Sequence, residues 1–168
     1  MLTIKKPGNR PPLRFLFEHS THFIACGAGS GLSPWAPGTA GTIFAWLLYP
    51  LLRQTLPGEL EFMVFLLAAF LVGVVACHRT GLDLGVTDHS SIVWDEIVPF
   101  WLVLLLCPPG ILWQAAAFVL FRFFDIVKPY PANFFDKEIK NGFGVMMDDA
   151  VAAFYSVLVL AVAKFLLG

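Results

Sequence analysis

A chain of 168 residues, 58% apolar and only 14% charged, has the length of one domain and a composition beyond the usual soluble balance. Its formal net charge of −1 supplies no basic field and excludes nucleic acid as a partner. Cys26, Cys77 and Cys107 lie in or beside apolar runs without CxxC or Cys/His spacing, which excludes a disulfide frame or zinc site. A mean hydropathy of +0.75 makes the chain an integral membrane protein by composition.

Residues 1–20 form a basic arm (Lys5, Lys6, Arg10, Arg14), expected to be flexible and to precede a single helical domain over 21–168. It precedes no apolar run that ends in a signal-peptide cleavage pattern. Residues 23–38 are rich in Gly, Ser and Pro and are expected to dip into the membrane surface. Residues 41–56, interrupted by Pro50, predict a short or tilted span. Residues 60–77 are an apolar run long enough to cross a bilayer. Residues 97–107 and 111–124 are separated by the breaker Cys107-Pro108-Pro109-Gly110, and they reach spanning length only by continuing into their polar neighbours. Residues 150–168 close the series, with Lys164 able to reach the interface. The predicted fold is all-α: a multi-pass membrane bundle with short or re-entrant helices.

Charge orients the bundle. The N-terminal arm and residues 122–140 carry four basic residues each, whereas 53–61 has one and the Pro-Pro-Gly turn none. The positive-inside rule then assigns the first two to the cytoplasm. With five spans, four polar islands (residues 27–42, 78–96, 122–128 and 136–149) converge on that face, the layout of a cytoplasmic-face active site.

The islands hold acids that hydrocarbon tolerates poorly. Asp95 and Glu96 are adjacent on one helix, and Asp148 and Asp149 repeat the pair before the last span. Asp125 stands between Arg122 and Lys128 at helical spacing. Carboxylates gathered from three helices repel unless a cation neutralises them, and hard oxygen ligands with few histidines suit Mg²⁺ or Mn²⁺. The blander readings are dipole compensation for Asp148 and Asp149, and an ion pair to Arg122 or Lys128 for Asp125. The stretch containing Gly29, Gly31, Ser33, Thr39 and Thr42 offers backbone N–H groups and hydroxyls to an anion, or else permits close helix packing. It lacks Gly-Lys-[Ser/Thr] and is no Walker loop. Arg79, Arg122 and Lys128 are candidate phosphate ligands, with an inside-positive anchor as the alternative. His89 either contacts substrate or caps a helix end. No cysteine-phosphatase loop, Asp-x-Asp or Ser-Gly-His pattern of membrane acid phosphatases occurs, which leaves metal-assisted attack by water.

Four strings, in order, carry a resemblance: Gly29-Ser30-Gly31-Leu32-Ser33-Pro34-x-x-Pro37-Gly38-Thr39-x-Gly41, His89-x-Ser91-Ile92-Val93-Trp94-Asp95-Glu96, Phe121-Arg122-x-x-Asp125-x-x-Lys128-Pro129 and Gly142-x-Gly144-x-Met146-x-Asp148-Asp149. Together they resemble the bacterial phosphatidylglycerophosphatase A family, departing from it at Pro99, where a glycine is expected. The resemblance implies a multi-pass, Mg²⁺-dependent inner-membrane enzyme that converts phosphatidylglycerophosphate in the bilayer to phosphatidylglycerol and phosphate. It implies Glu96, Asp125, Asp148 and Asp149 as metal ligands, with Asp95 as a further ligand or as the base. Arg122, Lys128 and the 29–42 loop would cradle the phosphate. The competing class is a small transporter or proton/cation relay built on the same acids. It is disfavoured because the Pro-Pro-Gly side lacks polar groups and no inverted repeat is visible. Oligomeric state is not legible in the sequence.

Overall fold

The computed structural model describes residues 10–167, and among them it contains helices and no strands. Two short helices come first: a 3-10 turn at Leu13–Phe17 and α1 at Ser20–Ala25. Five long ones follow: α2 (Pro37–Thr55), α3 (Glu59–Leu84), α4 (Trp94–Leu106), α5 (Ile111–Val127) and, after the short α6 (Ala132–Glu138), α7 (Gly142–Leu167). The long helices alternate in direction. The N-termini of α2, α4 and α7 therefore meet the C-termini of α3 and α5 at one end, and the Pro-Pro-Gly turn lies at the other.

Several boundaries move into the polar islands. α3 continues past residue 77 to Leu84, where Gly85 (φ 74°) caps it through Gly81 and Leu82. α7 begins at Gly142, because the Asn141 side chain accepts the N–H groups of Phe143 and Gly144 at 2.9 and 3.1 Å. Asp148 and Asp149 consequently sit two turns inside a helix. The dipole effect fades within the first turn, so compensation does not account for them.

α4 is the axis of the bundle, with Ile97, Phe100, Trp101 and Val103 fully buried. Tryptophan indoles tie the layers together, each donating to a neighbouring helix: Trp101 to the Ala45 carbonyl, Trp94 to that of Ala69 and Trp46 to Gln114, at 2.8–3.0 Å. A buried indole N–H needs such a partner. α3 and α7 approach closely because glycine removes the side chain: a Cβ on Gly73 would lie 2.6 Å from Trp94 and 2.8 Å from Met146, and one on Gly142 would press on the α3 backbone.

α3 and α7 are long and apolar enough to cross a membrane, and only 33% and 22% of their apolar stretches are buried. Leu60, Leu67, Val75, Phe154 and Phe165 face outward along them. A core helix of a soluble bundle would bury most of that surface. α2, α4 and α5 do not meet the same length-and-hydropathy standard. Within the arm, residues 1–9 (with Lys5 and Lys6) lie outside the described residues. Of residues 10–20, Phe15 and Leu16 are buried against Cys26 and Leu84, while most of the others are exposed. The 27–32 segment is a 3-10 turn laid on the 91–93 loop.

Candidate active site

At the convergent end lies a cavity of about 390 Å³. Ala36, Pro37 and Gly38 at the start of α2 form one wall, and Asp88, Ser90 and Ile92 of the α3–α4 loop another. Asp95 and Glu96 enter from the first turn of α4, Arg122, Asp125, Ile126 and Lys128 from the end of α5, and Asp149 from α7. All four polar islands of the sequence therefore reach one chamber.

Its acids divide into two groups. Asp95, Glu96 and Asp149, all at most 9% exposed, each bring a carboxylate oxygen within 4.8 Å of the others. Asp95 Oδ1, Glu96 Oε2 and Asp149 Oδ1 are buried and take no hydrogen bond. Orphaned anionic oxygens at this spacing are costly unless a cation is shared among them. The donor set, all carboxylate and without sulfur or imidazole, fits a hard divalent ion such as Mg²⁺. Asp88, Asp136 and Asp148 form a second group at the same spacing. It holds an ammonium: Lys128 Nζ lies 3.4 Å from Asp136 Oδ1 and hydrogen-bonds Asp148 Oδ2. Burial alone would lower the pKa of Lys128, but Asp148, Asp149 and Asp88 outweigh it and hold the ammonium far above the ordinary lysine range.

The cations are positioned by these acids. Arg122 Nη1 lies 2.6 Å from Asp125 Oδ2 and 3.5 Å from Glu96 Oε1, and its Nε has no partner. Of the two ion pairs open to Asp125 in the sequence, the structure forms the one with Arg122. Asp125 and Asp148 thus hold basic side chains beside the Asp95–Glu96–Asp149 group.

The 29–42 stretch divides differently from the sequence reading. Its glycines serve packing: a Cβ on Gly31 would strike the Ser91 backbone, one on Gly41 would lie 2.7 Å from Val93, and Gly29 (φ 101°) meets Leu16. Ser33 donates to the Trp35 carbonyl and Thr42 to that of Gly38. Neither they nor Thr39 lines the chamber. What reaches it is the α2 N-terminus at Pro37–Gly38, whose first-turn N–H groups suit an anion. His89 is buried and accepts the Ser91 N–H at 3.1 Å, as a residue of the loop's own turn. Arg79 does not come to the chamber: it pairs with Asp83 at 3.0 Å and borders a separate groove with His78 and Phe143. Asp88, Ser90 and Asp136 were not singled out from the sequence. Asp136 carries no readable signal, because it joins the second group only through the turn of α6.

An all-helical bundle with buried carboxylates, an arginine and a helix N-terminus around one chamber is equipped to hold a cation and a phosphate group. The chain matches the phosphatidylglycerophosphatase A family model over residues 23–164 and belongs to that family, which makes it a phosphatase. It is 45% identical over 154 residues to phosphatidylglycerophosphatase A of Haemophilus influenzae, covering 90% of this chain and 93% of that one. It is 42% identical to the Escherichia coli K12 protein of the same name (88% and 85%). A Bacteroides thetaiotaomicron relative named for phosphatidylinositol-3-phosphatase activity is 40% identical (86% and 94%). No solved structure matches the chain.

Proposed function

We propose that this chain hydrolyses the terminal phosphomonoester of phosphatidylglycerophosphate to phosphatidylglycerol and inorganic phosphate, with Mg²⁺ as cofactor, at the cytoplasmic face of the bacterial inner membrane. The observation that carries the reading is the trio of unpartnered buried oxygens on Asp95, Glu96 and Asp149, in a chamber that also holds Arg122, Lys128 and the α2 N-terminus. The lipid position follows from the outward apolar faces of α3 and α7, where the start of α7 at Gly142 lies level with Val74 and His78 of α3. The basic-residue bias makes that level cytoplasmic.

Asp95, Glu96 and Asp149 would hold the ion. Bound there, Mg²⁺ supplies Lewis-acid polarisation of the phosphoryl group and makes a coordinated water more acidic. The chain's own residues do the rest. Arg122, kept in place by Asp125 and Glu96, turns its guanidinium to the phosphoryl oxygens. The α2 N–H groups and Lys128 receive the remaining charge. Water attacks phosphorus as the phosphate–glycerol ester bond breaks. Asp95, in the first turn of α4, is either a ligand or the group that takes the proton from that water. The departing glycerol oxygen is reprotonated, and phosphate leaves toward the aqueous side.

The test is phosphate release by detergent-purified protein from phosphatidylglycerophosphate, with phosphatidic acid and phosphatidylinositol 3-phosphate as comparison substrates. Turnover at least ~10-fold faster on phosphatidylglycerophosphate supports the reading. No release from any phosphomonoester lipid, together with metal-independent ion flux in liposomes, favours the relay.

A further inference from the structure

Asp88, Asp136 and Asp148 converge as tightly as Asp95, Glu96 and Asp149, and the two groups adjoin through neighbouring residues of α7. Asp148 belongs to one group and Asp149 to the other, and the Asp149 N–H donates to Asp148 Oδ1 at 2.9 Å. Paired carboxylate clusters on one phosphate site are the usual setting for two divalent ions. Here a side chain has entered one of them. Lys128 caps α5 in the left-handed conformation (φ 46°, ψ 62°), which a non-glycine residue adopts only at a cost. Its ammonium touches Asp136 and Asp148, and both Lys128 and Asp88 line the substrate chamber.

We propose that Lys128 is a resident cation: its ammonium fills the Asp88–Asp136–Asp148 position, so that the enzyme works with one divalent ion and a protein-supplied charge beside it. Asp148 is then a positioning residue for Lys128 and not a ligand of the ion. Asp136, contributed by α6, has the same task. The inference rests on the proposed divalent position at Asp95, Glu96 and Asp149, and it goes beyond that reading by fixing the stoichiometry and by separating the two adjacent aspartates of α7. The arrangement has a chemical consequence. An ammonium cannot activate water as a divalent ion does, so it assists substrate binding and charge neutralisation while water activation stays at the first group.

The test counts Mn²⁺ bound to the intact, detergent-solubilised chain by electron paramagnetic resonance of the free ion, without any turnover. The wild type binds one Mn²⁺, and Asp149→Asn weakens that ion by ~100-fold or more. Asp148→Asn weakens it by ~10-fold, the low end of the effect of a group that supports a ligand without touching the ion. Lys128→Met opens the second position and binds two, and adding Asp136→Asn returns the count to one. Lys128→Met also melts lower in EDTA and recovers with Mn²⁺ by more than the wild type does, because the ion relieves three facing carboxylates. A wild type that binds two ions overturns the proposal. So does Asp148→Asn weakening binding as much as Asp149→Asn, which holds even if Lys128→Met fails to fold. A wild type that binds none overturns the divalent reading itself, and the two failures are thereby distinguished.

Discussion

Gly38 is the residue at which a single methyl group should separate chemistry from stability. It lies at the second position of α2, where alanine is the better helix former by about 1 kcal/mol. On propensity alone, Gly38→Ala should stabilise the protein. A Cβ there, however, would run into Glu96 Oε1 and lie 3.0 and 3.1 Å from the Arg122 Nη atoms. These are ends of side chains, so they can move, and an overpacking cost at the low end of the usual ~1–3 kcal/mol is offset by the helix gain of about 1 kcal/mol. Their movement is the damage. The Glu96 carboxylate must retreat by about 1 Å, carrying Arg122 with it, and a misplacement of that size costs on the order of 10²-fold in rate. Phosphate release and thermal melting, measured on the same detergent preparation, should give a ~10²-fold fall in kcat with the Tm within about 2 °C. Undiminished turnover would refute the reasoning, since the close approach of α2 to Glu96 and Arg122 would then have no part in catalysis.

Glu96→Gln and Asp149→Asn keep volume but remove ligand charge, so each should lower turnover ~10²-fold or more while the protein remains folded and inserted, as judged by melting and membrane fractionation. Lys128→Ala should raise KM and also lower the Tm, because it leaves Asp136 and Asp148 facing one another. Adding Asp136→Asn should restore part of the Tm and none of the KM. Gly142→Ala forces α3 and α7 apart at backbone level and should cost about 1–3 kcal/mol in unfolding experiments, with activity falling only as folded protein is lost. With Cys107 replaced by serine, Asp88→Cys should react with an impermeant maleimide only from the cytoplasmic side and Pro109→Cys only from the opposite side. Both reacting from one side would contradict the alternating arrangement.

Much of the fold was legible because a bilayer leaves few ways to satisfy a backbone, and apolar runs then read directly as helices. The ends were less so. α3 and α7 each extend seven or eight residues beyond the apolar runs into polar sequence, because Gly85 and Asn141 set those boundaries locally. The shared chamber was legible in the convergence of acids with Arg122 and Lys128. The division of the acids into two groups was not. Asp148 and Asp149 look equivalent in sequence, and only the geometry of α6 and the left-handed cap at Lys128 draws one of them away. The glycine-rich stretch misled in the other direction. Its glycines invite an anion-binding reading, while most of them are consumed by packing on the 91–93 loop and Ile97, and only residues 36–38 face the chamber.

The central claim is that buried carboxylates and a divalent ion, rather than a protein nucleophile, cleave the ester. Its most direct measurement is single-turnover phosphate release from phosphatidylglycerophosphate by EDTA-stripped protein as free Mg²⁺ is titrated back. No release is expected without the ion, with saturable recovery as Mg²⁺ is added and no recovery in Asp149→Asn at the Mg²⁺ concentration that saturates the wild type. Full turnover in EDTA would contradict it.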